Sequence, residues 1–144
     1  MSDNVFSQKR NSTRPIPQPH EPVNQAFWDQ CQGGVLHFQK CDGCNKFRHL
    51  PRNMCAFCGS PDWKWAPSKG KGTLFSWTIA HMPMHPAFAA DVPYVAAVIA
   101  LDEGVRMVSW LRSVVLEDLT LEMPVKVQFE RVTDEFQLPC FVPA

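Results

Sequence analysis

The chain has 144 residues and a mass of 16.3 kDa, enough to bury one ordinary core with a small appended lobe. Hydrophobic residues make up 45% and charged ones 19%, which excludes wholesale disorder. The fourteen basic and fourteen acidic side chains balance, but unevenly: residues 1–20 carry +2, residues 21–68 carry +1, and residues 69–144, with six basic and nine acidic groups, carry −3. The acidic larger part argues against a nucleic-acid groove.

Residues 1–22 are polar, proline-rich and without period, and read as an extended or mobile arm. They hold no apolar run that could serve as a secretory signal, and the longest apolar run, "VPYVAAVIAL", is about half a membrane span. A cytoplasmic protein without membrane contact is expected. In "VNQAFWDQCQGG", Val23, Ala26, Phe27 and Cys31 have helical spacing and Gly33-Gly34 is a stop signal, so a short helix is predicted over 23–32. "VLHFQK" and "DWKWAPS" read as strands that enter and leave a cysteine-rich segment, which makes residues 23–67 a helix plus a small lobe.

From residue 68 the pattern is all-β. In "GTLFSWTIAH", Phe75, Trp77 and Ile79 alternate with polar or small residues and are expected to share one buried face. "YVAAVIALD" is apolar on both faces and reads as a central strand; "VRMVSWLR" returns after the turn "DEG". "LEDLTLEMP" reads as an irregular or one-turn helical link, "VKVQFERV" places Val125, Val127 and Phe129 inward, and "QLPCFVPA" closes the chain. Five strands in about 75 residues, with that link before the fourth, suit a small closed barrel of the OB type; a five-stranded open sheet is the alternative. The expected fold is therefore mainly β: an N-terminal helix, a four-cysteine zinc ribbon, and an OB-fold barrel over 68–144.

The ribbon rests on "CDGCNKFRHLPRNMCAFCGS", in which Cys41, Cys44, Cys55 and Cys58 form two Cys-x-x-Cys pairs. Two intervening residues let both sulfurs of a pair face one point, and four thiolates complete a tetrahedral shell with no open position. One structural zinc is expected, ahead of iron or a redox dithiol. His49 lies between the pairs and reads as a surface or second-layer group rather than a ligand. Lys46, Arg48 and Arg52 form a basic group, either solvated or in contact with a phosphate or an acidic partner.

No catalytic set can be traced. Cys31 and Cys140 read as small buried hydrophobes, and the chain has no nucleophile elbow, phosphate loop, dinucleotide fingerprint or zinc-protease helix. The segment "HMPMHPAFAADVPY", residues 81–94, is unusual: a long loop with two histidines, three prolines, two methionines and an exposed-looking Phe88. Long loops in compact domains tend to carry function. His81, Met84, His85 and Phe88 are therefore candidate contacts for substrate or partner, against the plainer reading of His81 as a barrel-rim residue.

In order, "FWDQCQGGVLHFQKCDGCNKFRHLPRNMCAFCGSPDWKW", "GKGTLFSWTIAHMPMHPAFAADVPYVAAVIALDEGVRMVSWL" and "LEMPVKVQFE" resemble the DUF35 family of zinc-ribbon plus OB-fold proteins. The likeness covers nearly everything from Phe27 onward. Glu122 stands where that family typically has glycine before Met-Pro-Val. The resemblance implies a non-catalytic subunit of a hetero-oligomer with a thiolase-like protein, lining an acyl-CoA site at which the partner forms or cleaves carbon-carbon bonds by thiolysis or aldol chemistry. Steroid or aromatic degradation, for example by a benzoylsuccinyl-CoA thiolase, is such a setting, and a bound CoA thioester is the implied ligand. The rival readings are a single-stranded nucleic-acid module, disfavoured by charge, and an independent acyltransferase or hydrolase using Cys140 or His81.

Overall fold

The computed structural model describes residues 14–144. Most of the expected arm, residues 1–13, lies outside the described residues. The first element among the described residues is helix α1, Pro22–Cys31, which starts with a proline in its first turn after an extended Glu21. Val23, Phe27 and Cys31, four residues apart, form its buried stripe. Ten residues are too few for a stable isolated helix, so packing holds this one. Its carboxyl end is satisfied from afar, because the Gln137 side-chain amide donates to the Gln32 carbonyl at 2.9 Å.

Next comes a three-stranded antiparallel sheet of β1 (His37–Cys41), β2 (Phe47–Arg48) and β3 (Trp63–Pro67), in the order β2-β1-β3. The two-residue strand β2 has no signature in the sequence. A buried polar clamp fixes the sheet to the following loop. Fully buried Gln39 donates to the Arg52 carbonyl at 3.0 Å and accepts from Arg48 Nε at 2.7 Å and from the Arg52 amide at 2.8 Å. Each polar atom of that amide side chain is thus paired, as a buried amide requires.

The remaining strands are β4 (Lys71–Ala80), β5 (Tyr94–Leu101), β6 (Arg106–Leu111), β7 (Pro124–Arg131) and β8 (Gln137–Pro143). They close into a barrel in the order β4-β5-β6-β8-β7, the five-stranded OB arrangement. Its weakest seam is β6 with β8, parallel and paired only at Leu111 and Phe141. The predicted link before β7 contains a 3-10 turn at Leu116–Asp118.

The face expected for β4 needs correction at Phe75. The pairing with β5 slips between Leu74 and Ser76, so Phe75 is the extra residue of a bulge and points out to solvent, while Leu74 is fully buried. One inserted residue reverses the inside-outside alternation. At the start of the same strand a side chain on Gly72 would collide with the Ala100 backbone, so only glycine allows this close pairing.

The core is continuous. Phe27 and Cys31 of α1 and Leu36 and Phe38 of the ribbon pack in one cluster with Leu74, Ile99, Val125 and Phe141 of the barrel. No helix among the described residues is long and apolar enough to cross a membrane.

Candidate metal centre and partner-facing surfaces

The two Cys-x-x-Cys turns bring their four sulfurs within 4.8 Å of one another. Cys41 and Cys58 stand 3.6 Å apart and Cys44 and Cys55 3.7 Å apart. Four thiolates about 2.3 Å from one tetrahedral ion would lie about 3.8 Å from each other, so the donor set fits a metal of that kind. The turns are built to hold thiolate. The Gly43 amide donates to Cys41 Sγ at 3.3 Å and the Phe57 amide to Cys55 Sγ at 3.4 Å. Backbone N–H groups, from Cys58 and then Phe57, pull the Cys55 thiol down to about 6, and those of Cys44 and Gly43 lower Cys41. Cys58 is pulled down by the Ser60 amide, but its sulfur neighbours and burial push it up to about 11 on balance. Without a cation, four adjacent thiols resist ionising together; a divalent ion removes that resistance.

His49 is not among the clustered donors. It is half-buried, its ring 5.2 Å from Phe27 and 5.4 Å from Phe38, and burial lowers it to about 4. It joins the ribbon to the helix as a neutral aromatic group rather than a surface histidine.

Cys31 and Cys140 are buried. Burial pushes the Cys31 thiol up to about 12 and also raises Cys140, with the Glu130 charge adding to it. Both are protonated at neutral pH. The small cleft that Cys140 lines holds no histidine.

The loop from His81 to Pro93 divides into two roles. His85 caps the short 3-10 turn Pro86–Phe88, its Nδ1 accepting from the Ala87 amide at 3.1 Å. Phe88 is half-buried rather than exposed, edge-on to Trp110 at 5.7 Å. Trp110 in turn stacks on Tyr94 at 4.8 Å. Met82 and Met84, 76% and 87% exposed, project outward, and His81 is exposed beside them at the end of β4.

Arg14, which carried no recognisable signal in the sequence, locks this cluster. Its guanidinium lies 4.9 Å from the Trp110 ring and 5.4 Å from Phe88, and donates to Glu130 at 3.1 Å. Glu130 also accepts from Arg112 at 2.8 Å, across the weak side of the barrel. The Arg14–Glu130 contact joins residues 116 positions apart, which no local pattern encodes.

Comparison with known proteins bears on both parts of the chain. Residues 28–64 match the domain described as "ChsH2, rubredoxin-like zinc ribbon domain", and residues 65–130 match "ChsH2, C-terminal OB-fold domain". A solved structure, the "Ltp2-ChsH2(DUF35) aldolase", superposes with a TM-score of 0.80 at 34% identity, over 88% of this chain and 98% of that one. The chain belongs to the DUF35 family. Among curated relatives, a "Probable enoyl-CoA hydratase alpha subunit" of Thermomonospora curvata is 36% identical over 138 residues, which is 95% of this chain and 42% of the relative. The "3-oxo-4,17-pregnadiene-20-carboxyl-CoA hydratase alpha subunit" of Mycobacterium tuberculosis is 34% identical over 104 residues, 72% of this chain and 32% of the relative. The chain thus spans less than half the length of these two relatives.

Proposed function

We propose that this DUF35 chain is a non-catalytic subunit that assembles with a thiolase-superfamily enzyme and helps to form its acyl-CoA site, for thiolytic or aldol making or breaking of carbon-carbon bonds. The observation that carries the reading is the likeness of 88% of this chain to 98% of a chain of a two-component aldolase. Two relatives named as acyl-CoA enzymes support the thioester substrate class; because the chain spans only part of each, hydration itself is not carried over. Buried, protonated Cys31 and Cys140 fit a subunit whose chemistry belongs to its partner. Cys41, Cys44, Cys55 and Cys58 would hold one zinc, which cross-links the ribbon and offers no open position to substrate.

The partner or thioester contact falls on the loop between β4 and β5. His81 and Met84 make the contact, together with Met82, while His85 and Phe88 hold the loop in shape. The double change Met82→Ala, Met84→Ala is expected to leave metal content and melting temperature unchanged and to weaken assembly by about 1 to 3 kcal/mol, the loss typical of interface anchors. Sedimentation velocity with the co-purified partner, run beside steady-state acyl-CoA turnover, measures both quantities. Normal assembly with normal turnover would remove the loop from the contact surface.

The nucleic-acid reading finds no stacking platform in the barrel's central aromatic cluster, and residues 69–144 carry −3. The aromatic group on the barrel, Tyr94, Trp110 and Phe88, is packed on itself and under Arg14, and Glu130 pairs with both Arg14 and Arg112. Stacking platforms need open ring faces and unspent cations.

A further inference from the structure

A second surface lies away from the β4–β5 loop, between the second cysteine turn and the turn joining β5 to β6. It is a cleft of about 420 Å³ whose lining includes Lys46, Arg48, Arg52 and Arg106 and no carboxylate. None of these four cations makes an ion pair among the described residues; the ion pairs formed there involve Arg14, Lys64 and Arg112 instead. Glu103, next to the cleft in sequence, is turned to the Lys69 amide at 2.7 Å. The apolar part of the cleft is equally unspent, with Leu50 65% and Phe57 68% exposed.

The cations hold the aromatic rings in place. Lys46 sits 3.9 Å from the Phe57 ring centre, and Arg106 sits 3.8 Å from that of Phe75, the residue the bulge turns outward. Arg48 donates through Nε to Gln39 and through Nη2 to the Arg52 carbonyl, yet its Nη1 is buried with no hydrogen-bond partner. Arg48 therefore braces the wall of the cleft, its guanidinium also 5.8 Å from the Trp63 ring, while Arg52 and Arg106 are exposed.

We propose that this cleft docks an acidic segment of the partner subunit, one or more carboxylates reaching Arg52 and Arg106 while an apolar side chain beside them packs on Leu50 and Phe57. The charge complementarity is one-sided, and the rings extend past the cleft along the barrel, which suits a peptide lying across the surface more than a small anion in a pocket. The proposal rests on the reading of this chain as a subunit, and adds a contact site separate from the β4–β5 loop.

The test uses the full chain with the enzyme that co-purifies with it. Arg52→Glu with Arg106→Glu is expected to weaken association at least about tenfold and to flatten its salt dependence, whereas Arg52→Lys with Arg106→Lys retains most of both. Amides of residues 46–57 and 104–106 are expected to exchange more slowly in the complex, and metal content is expected to stay at the wild-type level in every variant. Wild-type affinity and salt dependence in the charge-reversed chain, or unprotected amides in the complex, would overturn the proposal. So would inorganic pyrophosphate binding in the cleft of the free chain without weakening assembly, which would mark a site for a small anion. A partner that is not an acyl-CoA enzyme would overturn the functional reading while these variants still judged the cleft; the absence of any partner would overturn both.

Discussion

Glu122 shows how one side chain can work against its own backbone. It sits at φ +64, in the left-handed region that favours glycine, and its amide donates to the Leu74 carbonyl at 2.8 Å while Leu74 donates back to Met123 at 3.0 Å. The segment therefore pairs with β4 despite the strain. The resemblance to a family with glycine here marks the position from sequence, and the dihedral supplies the reason. Glu122→Gly is expected to stabilise the chain by about 0.5 to 1 kcal/mol, the relief of strain exceeding the added freedom of the unfolded chain. Denaturant titration with an unchanged slope would register it as a higher midpoint. Gln39 makes the opposite point, since nothing in "VLHFQK" distinguishes it from a solvent-facing strand residue, yet it is fully buried and fully paired. Its partners come from the loop at residues 48–52, and only folding brings them within reach.

Among the elements, the ribbon depends most on something outside its own chain. Strand β2 has two residues and pairs with β1 at only two positions, too little to stand alone in water. A metal held by the four cysteines would supply the missing restraint by joining the loop that contains β2 to the second knuckle. Removing it with a chelator, or replacing Cys58 with serine, is expected to dissolve the ribbon. The near-ultraviolet circular dichroism of the edge-on pair Trp63 and Trp65, 5.2 Å apart on β3, reports that loss directly. Cys140→Ala, by contrast, is expected to cost no more than about 1 to 2 kcal/mol and to leave that signal intact. Elemental analysis of the untreated protein should give one zinc per chain.

At the scale of the whole molecule, ribbon and barrel are joined through a common interior. Phe38 of β1 is fully buried in the same cluster as Leu74 and Ile99 of the barrel, and His49 contacts both Phe38 and Phe27 of α1. A cavity there would be felt on both sides. Phe38→Ala is expected to cost about 3 to 5 kcal/mol and to lower a single melting transition seen equally by ribbon and barrel probes. Two separate transitions, with only the earlier one shifted, would show the cores to be independent. Cooperativity of this kind would also make the metal centre a determinant of the barrel's stability, and hence of the loop and cleft proposed to meet the partner.

What the sequence determined by itself was whatever repeats locally: the two cysteine knuckles, whose spacing is set by tetrahedral sulfur geometry, the four-residue stripe of α1, and the alternation of β7. Strand count and the link before β7 favoured a closed barrel over an open five-stranded sheet, and the pairing of β6 with β8 closes it. Tertiary structure decided what depends on distant residues or on a single slipped position. The bulge took Phe75 out of the expected face of β4 while Trp77 kept its place against the core, because alternation predicts a face only while the register holds. Phe88 was drawn onto Trp110 under Arg14, leaving Met82 and Met84 as the outward part of the loop. The cations at 46, 48, 52 and 106 became one surface only when the β5–β6 turn was folded against the knuckle, since proximity between residues fifty positions apart is a property of the packed core rather than of any stretch of chain.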